Sequence, residues 1–130
     1  MRKSGTAWVV GLGVVLSLGA VLAGCARPSA TPAPEDALRV LANVREGYNA
    51  SDAESFCQDF APIMFTRGFT KAAYLDVVKG LQRKLGQWVS EVYLGEKDGV
   101  YTWRASFEKG RAKVVLVLDD EWKVTGLWFR

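Results

Sequence analysis

Residues 88–129 read WVSEVYLGEKDGVYTWRASFEKGRAKVVLVLDDEWKVTGLWF, and their period of two decides the fold. Four stretches, residues 88–94, 100–107, 112–118 and 122–129, are rich in β-branched and aromatic side chains, and EKDG, EKG and DDE separate them. Connections this short force antiparallel hairpins, because a parallel pair needs a crossover of a dozen residues or more. In the second stretch Tyr101, Trp103, Ala105 and Phe107 share one face, and Thr102, Arg104 and Ser106 share the other. A sheet patterned in this way buries one side and needs a cover.

The cover lies upstream, where the period changes to that of a helix. From Glu35, Leu38, Leu41, Val44 and Tyr48 recur at three- and four-residue spacing, with Arg39, Asn43 and Glu46 on the opposite side, after a start at Pro34, Glu35 and Asp36. Ser51-Asp52-Ala53-Glu54 has the S-x-x-E form of a capping box. It opens a second helix that carries Phe56 and Phe60 and ends or kinks at Pro62. Thr70 is the expected N-cap of a third helix, with Tyr74, Leu75, Val78, Leu81 and Leu85 as its apolar stripe and Gly86 as its stop. Three helices followed by a four-stranded meander define an α+β fold, with the helices packed on one face of a curved antiparallel sheet.

The N-terminal part has a different character. Arg2 and Lys3 precede a stretch from Ala7 to Ala23 without a charge, the pattern of a secretory signal. It closes on Leu22-Ala23-Gly24-Cys25, which resembles the lipobox of bacterial lipoproteins: a branched apolar residue, two small residues and a cysteine. The resemblance implies cleavage between Gly24 and Cys25, and acyl chains on Cys25 that hold the protein in a membrane. More than one chain gives stable anchoring where one does not. The domain boundaries are then a signal peptide at 1–24, a lipidated cysteine with a Pro-rich tether at 25–34, and the α+β domain at 35–130. The alternative is an uncleaved transmembrane helix, against which four glycines, Gly11, Gly13, Gly19 and Gly24, weigh.

Composition narrows the chemistry. The net charge is +3, and Arg2 and Lys3 would leave with the signal. Lys and Arg alternate with Asp and Glu along the remainder, so no run of basic residues points to nucleic acid. The chain contains no histidine, the commonest general base and zinc ligand, and neither a metal nor another cofactor is expected. With Cys25 lipidated, Cys57 lacks an intramolecular partner. Phe56 and Phe60 beside it suggest a packed thiol, with an intermolecular or redox role as the alternative.

The order of elements, the N-x-S-D-A-E-S-F step at residues 49–56 and the terminal G-L-W-F at 126–129 resemble small lipoprotein members of the nuclear transport factor 2-like, or cystatin-like, superfamily. The resemblance covers residues 36–130. It implies a strongly bent sheet forming a cone-shaped roll, with a pocket at the mouth. Gly126 is the expected bend position. Tyr48, Trp88, Trp103 and Phe107 are the candidate pocket lining, and filling the core is the competing role for the same side chains.

The superfamily includes ketosteroid isomerase and scytalone dehydratase, and also many members without catalysis, so fold alone does not assign a reaction. A histidine-dependent dehydratase scheme does not carry over to a chain without histidine. An isomerase needs a base and an oxyanion donor converging in an apolar pocket. The acids here fall in turns (Asp98, Asp119, Asp120) or on polar helix faces (Asp52, Glu54, Asp76). Glu91 and Tyr93, two apart on one strand face, are the nearest approach to such a pair. The reading is therefore a non-enzymatic, lipid-anchored binding or protein-interaction module of the cell envelope, on the outer face of the plasma membrane or on the outer membrane. Its expected partners are membrane lipid through Cys25, and a protein or small apolar ligand through the domain. The alternatives are a small-molecule isomerase or lyase of the ketosteroid-isomerase type and a structural lipoprotein that forms homodimers. A carboxyl group buried in the cone would favour the enzyme, and an exposed apolar patch the module.

Overall fold

The structure, a computed structural model, describes residues 27–130, and the expected signal peptide, Gly24 and Cys25 lie outside the described residues. The order is α1 (Glu35–Ala50), α2 (Ala53–Phe56), a 3₁₀ turn (Pro62–Phe65), α3 (Lys71–Leu85), then β1 (Trp88–Lys97), β2 (Val100–Phe107), β3 (Gly110–Leu118) and β4 (Val124–Phe129). The four strands form an open, curved antiparallel sheet in sequential order, and the helices cover one face. This is the α+β class that the period change indicates.

Helix α1 starts after Pro34 with Glu35 and Asp36 in its first turn, where negative charge complements the helix dipole. Its buried side is Ala37, Val40, Leu41, Val44, Gly47 and Tyr48, while Leu38 is 47% exposed. The sequence reading thus placed Leu38 on the wrong side. Counting from Ala37, apolar residues recur at offsets 3, 4, 7 and 11, a fuller helical stripe than the one counted from Leu38.

Ser51 does not open a capping box. It ends α1 in the left-handed conformation (φ 52°), a backbone incompatible with the extended N-cap geometry. Asp52 caps α2 instead, its carboxylate accepting from the N–H of Glu54 at 3.0 Å. Glu54 reaches Lys71 at 2.8 Å rather than folding back. The second helix is also shorter than expected. It ends at Phe56, and Phe60 lies beyond it, bridged to Val124 at the start of β4. Helix α3 follows its signals: the Thr70 hydroxyl accepts from the Ala73 N–H at 3.1 Å, and Gly86 (φ 77°) terminates it.

In the sheet, Tyr93, Trp103, Val114 and Phe129 form one cross-strand row. Asp98 (φ 52°) and Gly99 (φ 81°) make the β1–β2 turn, two left-handed residues in succession as a tight hairpin requires. A register shift at Val117–Leu118 faces residues 124–126, the expected region of bending. Gly126 also has a local reason. A Cβ there would stand 2.6 Å from the Trp128 ring, which lies across the glycine.

The two layers are stitched by side chains. Asn49 donates to the Trp88 carbonyl at 2.9 Å and accepts from the Trp88 N–H at 2.8 Å, fixing α1 to the start of β1. The Tyr48 hydroxyl donates to the Gly86 carbonyl at 2.8 Å. The segment expected as a free tether is partly docked. The Ser29 N–H donates to the Tyr93 carbonyl at 2.9 Å, and Ala33 packs on the core. Strand β1 is an edge strand whose outward carbonyls lack a strand partner, so a neighbouring extended segment is drawn to it.

Candidate functional site

Tyr48, Trp88, Trp103 and Phe107, the candidate pocket lining, are all buried in the core between the layers. Tyr48 meets Trp88 and Phe107 edge-on, at ring separations of 6.0 and 5.5 Å, and Trp88 lies 5.6 Å from Phe107. Trp103 sits across the sheet against Tyr93 at 5.3 Å. The structure therefore brings three of the four together, but as the filling of the interior, and the open clefts lie elsewhere.

The groups that titrate inside this core do so far from neutrality. Burial pushes the Tyr48 hydroxyl up to about 12. Burial likewise raises the Cys57 thiol to about 11, partly offset by the charge of Lys71. Cys57 is a free, buried cysteine. A thiol held protonated and out of contact with water is a poor nucleophile. Native protein at neutral pH is expected to leave Cys57 unlabelled by a thiol reagent and to label it on unfolding; rapid native labelling would contradict the burial. Both shifts act in the same direction on stability. The unfolded groups lose their protons near pH 9 and 10 and the folded ones only near 11 and 12, so stability is fully present below about pH 9 and falls as pH rises towards 12.

Glu91 and Tyr93 do share the helix-covered face, opposite Ala105 and Trp103. The Glu91 carboxylate is already occupied: it accepts from Arg45 at 3.1 Å and from the Trp88 indole N–H at 2.8 Å. Arg45 and Glu91 border an open cleft of about 630 Å³ between α1 and β1, with Leu38, Leu41 and Asn49. Asp59, the buried acid, is likewise held by Arg39 at 3.2 Å and Asn43 at 2.9 Å. Each carboxylate has a cation or an amide as its partner and acts as a tie between elements.

A second open cleft, about 860 Å³, runs between the segment at residues 62–69, the start of α3 and the edge strand β4. Ile63, Met64, Phe69, Tyr74, Leu127 and Trp128 give it an apolar wall, and among the described residues Arg67 is the one charged residue lining it. Ile63 is 59% exposed, Phe69 48% and Trp128 45%. Isolated exposed apolar residues are ordinary, but a contiguous group is not. The group is also held in place. Arg67 (φ 58°) and Gly68 (φ 80°) turn the chain so that Phe69 is presented beside Tyr74, ring separation 5.7 Å. Tyr74 in turn contacts Phe60 at 5.0 Å and its hydroxyl donates to the Met64 carbonyl, so the surface rings are joined to the core.

The sequence reading missed this site. One signal for it was available: alternation along G-L-W-F sends Leu127 and Phe129 inward and Trp128 outward. The run PIMFTRGF at residues 62–69 was a second, since it carries three large apolar side chains and a methionine with neither helical nor strand period. What such a group offers chemically is apolar and aromatic surface with a guanidinium at its rim. Among the described residues, no group of three His, Cys, Asp or Glu could hold a metal ion.

The fold and this cleft define a small α+β domain with one face of its sheet covered by helices and an apolar group at the sheet edge. No protein-family model and no curated protein matches the chain. Among solved structures it is similar to the Bdellovibrio bacteriovorus protein Bd1075, at 14% identity and a TM-score of 0.40, over 74% of this chain and 40% of that one. The chain thus spans well under half the length of that protein.

Proposed function

We propose that this chain is a bacterial lipoprotein of the nuclear transport factor 2-like superfamily, anchored through acylated Cys25, whose domain acts in the cell envelope as a non-catalytic interaction module. The cleft beside β4 takes an apolar segment of a partner protein. The observation that carries this reading is the exposed pair of Ile63 and Phe69, the latter braced by the Tyr74 ring, on one wall of the cleft. Rigid aromatic side chains give large contact area at little entropic loss, and a few of them commonly dominate an interface. An isomerase would need an unpaired carboxylate facing an apolar cavity, and Asp59 and Glu91 both have partners.

Two measurements test the two halves of the proposal. Intact-mass analysis of protein from its native membrane is expected to give residues 25–130 plus acyl groups, and an unmodified full-length mass would refute the anchor. A photo-crosslinker placed at Phe69 is expected to capture one partner in cells, while the same group at exposed Lys79 on α3 captures none. Ile63→Asp should abolish the adduct with little change in stability, because Ile63 is mostly in solvent. Truncating such a contact residue commonly weakens binding by about 2 kcal/mol or more. Equal capture at both positions would remove the cleft from consideration.

A further inference from the structure

The outer face of the sheet, away from the helices, is not covered by any described helix or strand, and the charged residues at its alternating strand positions are all cations. The strands carry two carboxylates, Glu91 and Glu96, which stand opposite Ala105 and Tyr101 on the helix-covered face. The outer face carries cations instead. Lys97, Arg104, Arg111 and Lys113 stand at its alternate positions, paired with Val100, Val92, Ser106 and Arg104. Lys113 and Arg130 exchange both backbone hydrogen bonds, at 2.7 and 2.9 Å, which places two cations side by side. Between them lies apolar surface: Val115 faces Trp128, and the Arg130 guanidinium sits 5.6 Å from the centre of the Trp128 ring.

The chain that leads to the anchor arrives at this face. Arg27, the first described residue, borders a shallow depression with Gly95, Lys97, Thr102, Lys113 and one carboxylate, Glu96. Only Ala26 lies between Arg27 and Cys25, and two steps of fully extended chain span at most about 7 Å. We propose that the outer sheet face rests on a bilayer containing anionic phospholipids, with Trp128 at headgroup level, so that the domain lies against the membrane instead of hanging free from it. The inference rests on the lipoprotein reading and adds an orientation to it. The apolar cleft opens beside this face, between the sheet edge and the helix layer, and stays accessible from the side.

Two features fit a bilayer. Basic residues are attracted to anionic headgroups, each strengthening association about five-fold close to the surface. An indole on the rim suits the interface, where its ring is apolar and its N–H is wet. A second copy of the chain is the rival occupant. Two-fold packing through this face would bring its cations against cations, since a two-fold contact sets the same patch against itself.

The full chain purified from its native membrane is reconstituted into phosphatidylcholine vesicles with and without phosphatidylglycerol, both doped with lipid bearing a nitroxide on the headgroup. The expected result is quenching of tryptophan emission in the anionic vesicles that Trp128→Phe removes. The double variant Arg111→Glu, Lys113→Glu, both exposed, should quench no more than wild type does in neutral vesicles. Intact mass of the same preparation reports acylation separately. An acylated protein with no Trp128-dependent quenching, or with quenching equal in both vesicles, overturns the orientation and leaves the anchor standing. Quenching by an unacylated protein overturns the anchor and supports the face. Copies cross-linked to each other through this face would identify the rival occupant and overturn the proposal.

Discussion

Alanine at Gly47 is expected to destabilise the domain by about 3 kcal/mol, although helix propensity argues for the opposite sign. In the middle of a helix, glycine is worse than alanine by about 1 kcal/mol. Gly47 lies where α1 passes the start of α2, and a Cβ there would stand 2.2 Å from the Phe56 nitrogen and 2.5 Å from its Cα. These are backbone atoms, so no side-chain rotation relieves the overlap. Nor can α2 move away cheaply. The Asp52 N–H donates to the Gly47 carbonyl at 2.9 Å, and Phe56 is buried in the core. Forced insertion into a packed region commonly costs about 1–3 kcal/mol, and a backbone clash belongs at the upper end. Gly80→Ala is the control. It is also within a helix, yet its Cβ would meet only the tip of Arg83 at 3.7 Å, so it should gain up to about 1 kcal/mol. Urea midpoints at unchanged slope read both. Opposite signs for the two substitutions confirm the close approach, and a neutral Gly47→Ala contradicts it.

The strands were legible because β-branched and aromatic residues alternate over every stretch, and because Asp98-Gly99 can adopt two left-handed conformations in succession. The third helix was legible because its cap, stripe and stop are all local. The second was not. Ser51 and Asp52 are both good caps, and which of them acts depends on where α1 ends, itself decided by packing of Gly47 on Phe56. Phe60 leaves the helix because it pairs with Val124, more than sixty positions away in sequence. The site failed for a similar reason. Periodicity identifies Tyr48, Trp88, Trp103 and Phe107 as inward, but inward means core or pocket according to whether the layers close over them. The cleft forms where residues 62–69 meet β4, a long-range contact with no local signature. Cys25, whose motif was the most specific in the chain, lies outside the described residues.

The second large effect separates those two meanings of inward. Trp103→Ala is expected to cost about 3–5 kcal/mol, a large fraction of the roughly 5–15 kcal/mol that holds a domain of ordinary stability. Trp103 is 1% exposed on an inner strand, with Tyr93 at 5.3 Å, Tyr101 at 6.4 Å and Val114 directly across the sheet. Truncation removes the whole indole and leaves a cavity that the sheet, hydrogen-bonded on both sides of β2, cannot collapse to fill. Trp128→Ala provides the contrast within one residue type. Its ring is 45% exposed and lies over Gly126, so its loss should cost no more than about 1 kcal/mol. Thermal or denaturant unfolding, with near-ultraviolet circular dichroism to follow tertiary packing, reads both variants. A side chain that lined an open pocket would already have solvent on one side, and truncating it would enlarge the pocket at small expense in stability. A cost below about 1 kcal/mol for Trp103→Ala would therefore return Trp103 to the pocket that the superfamily resemblance implies. The larger value makes it a structural element of the sheet and leaves the proposed recognition to the cleft beside β4.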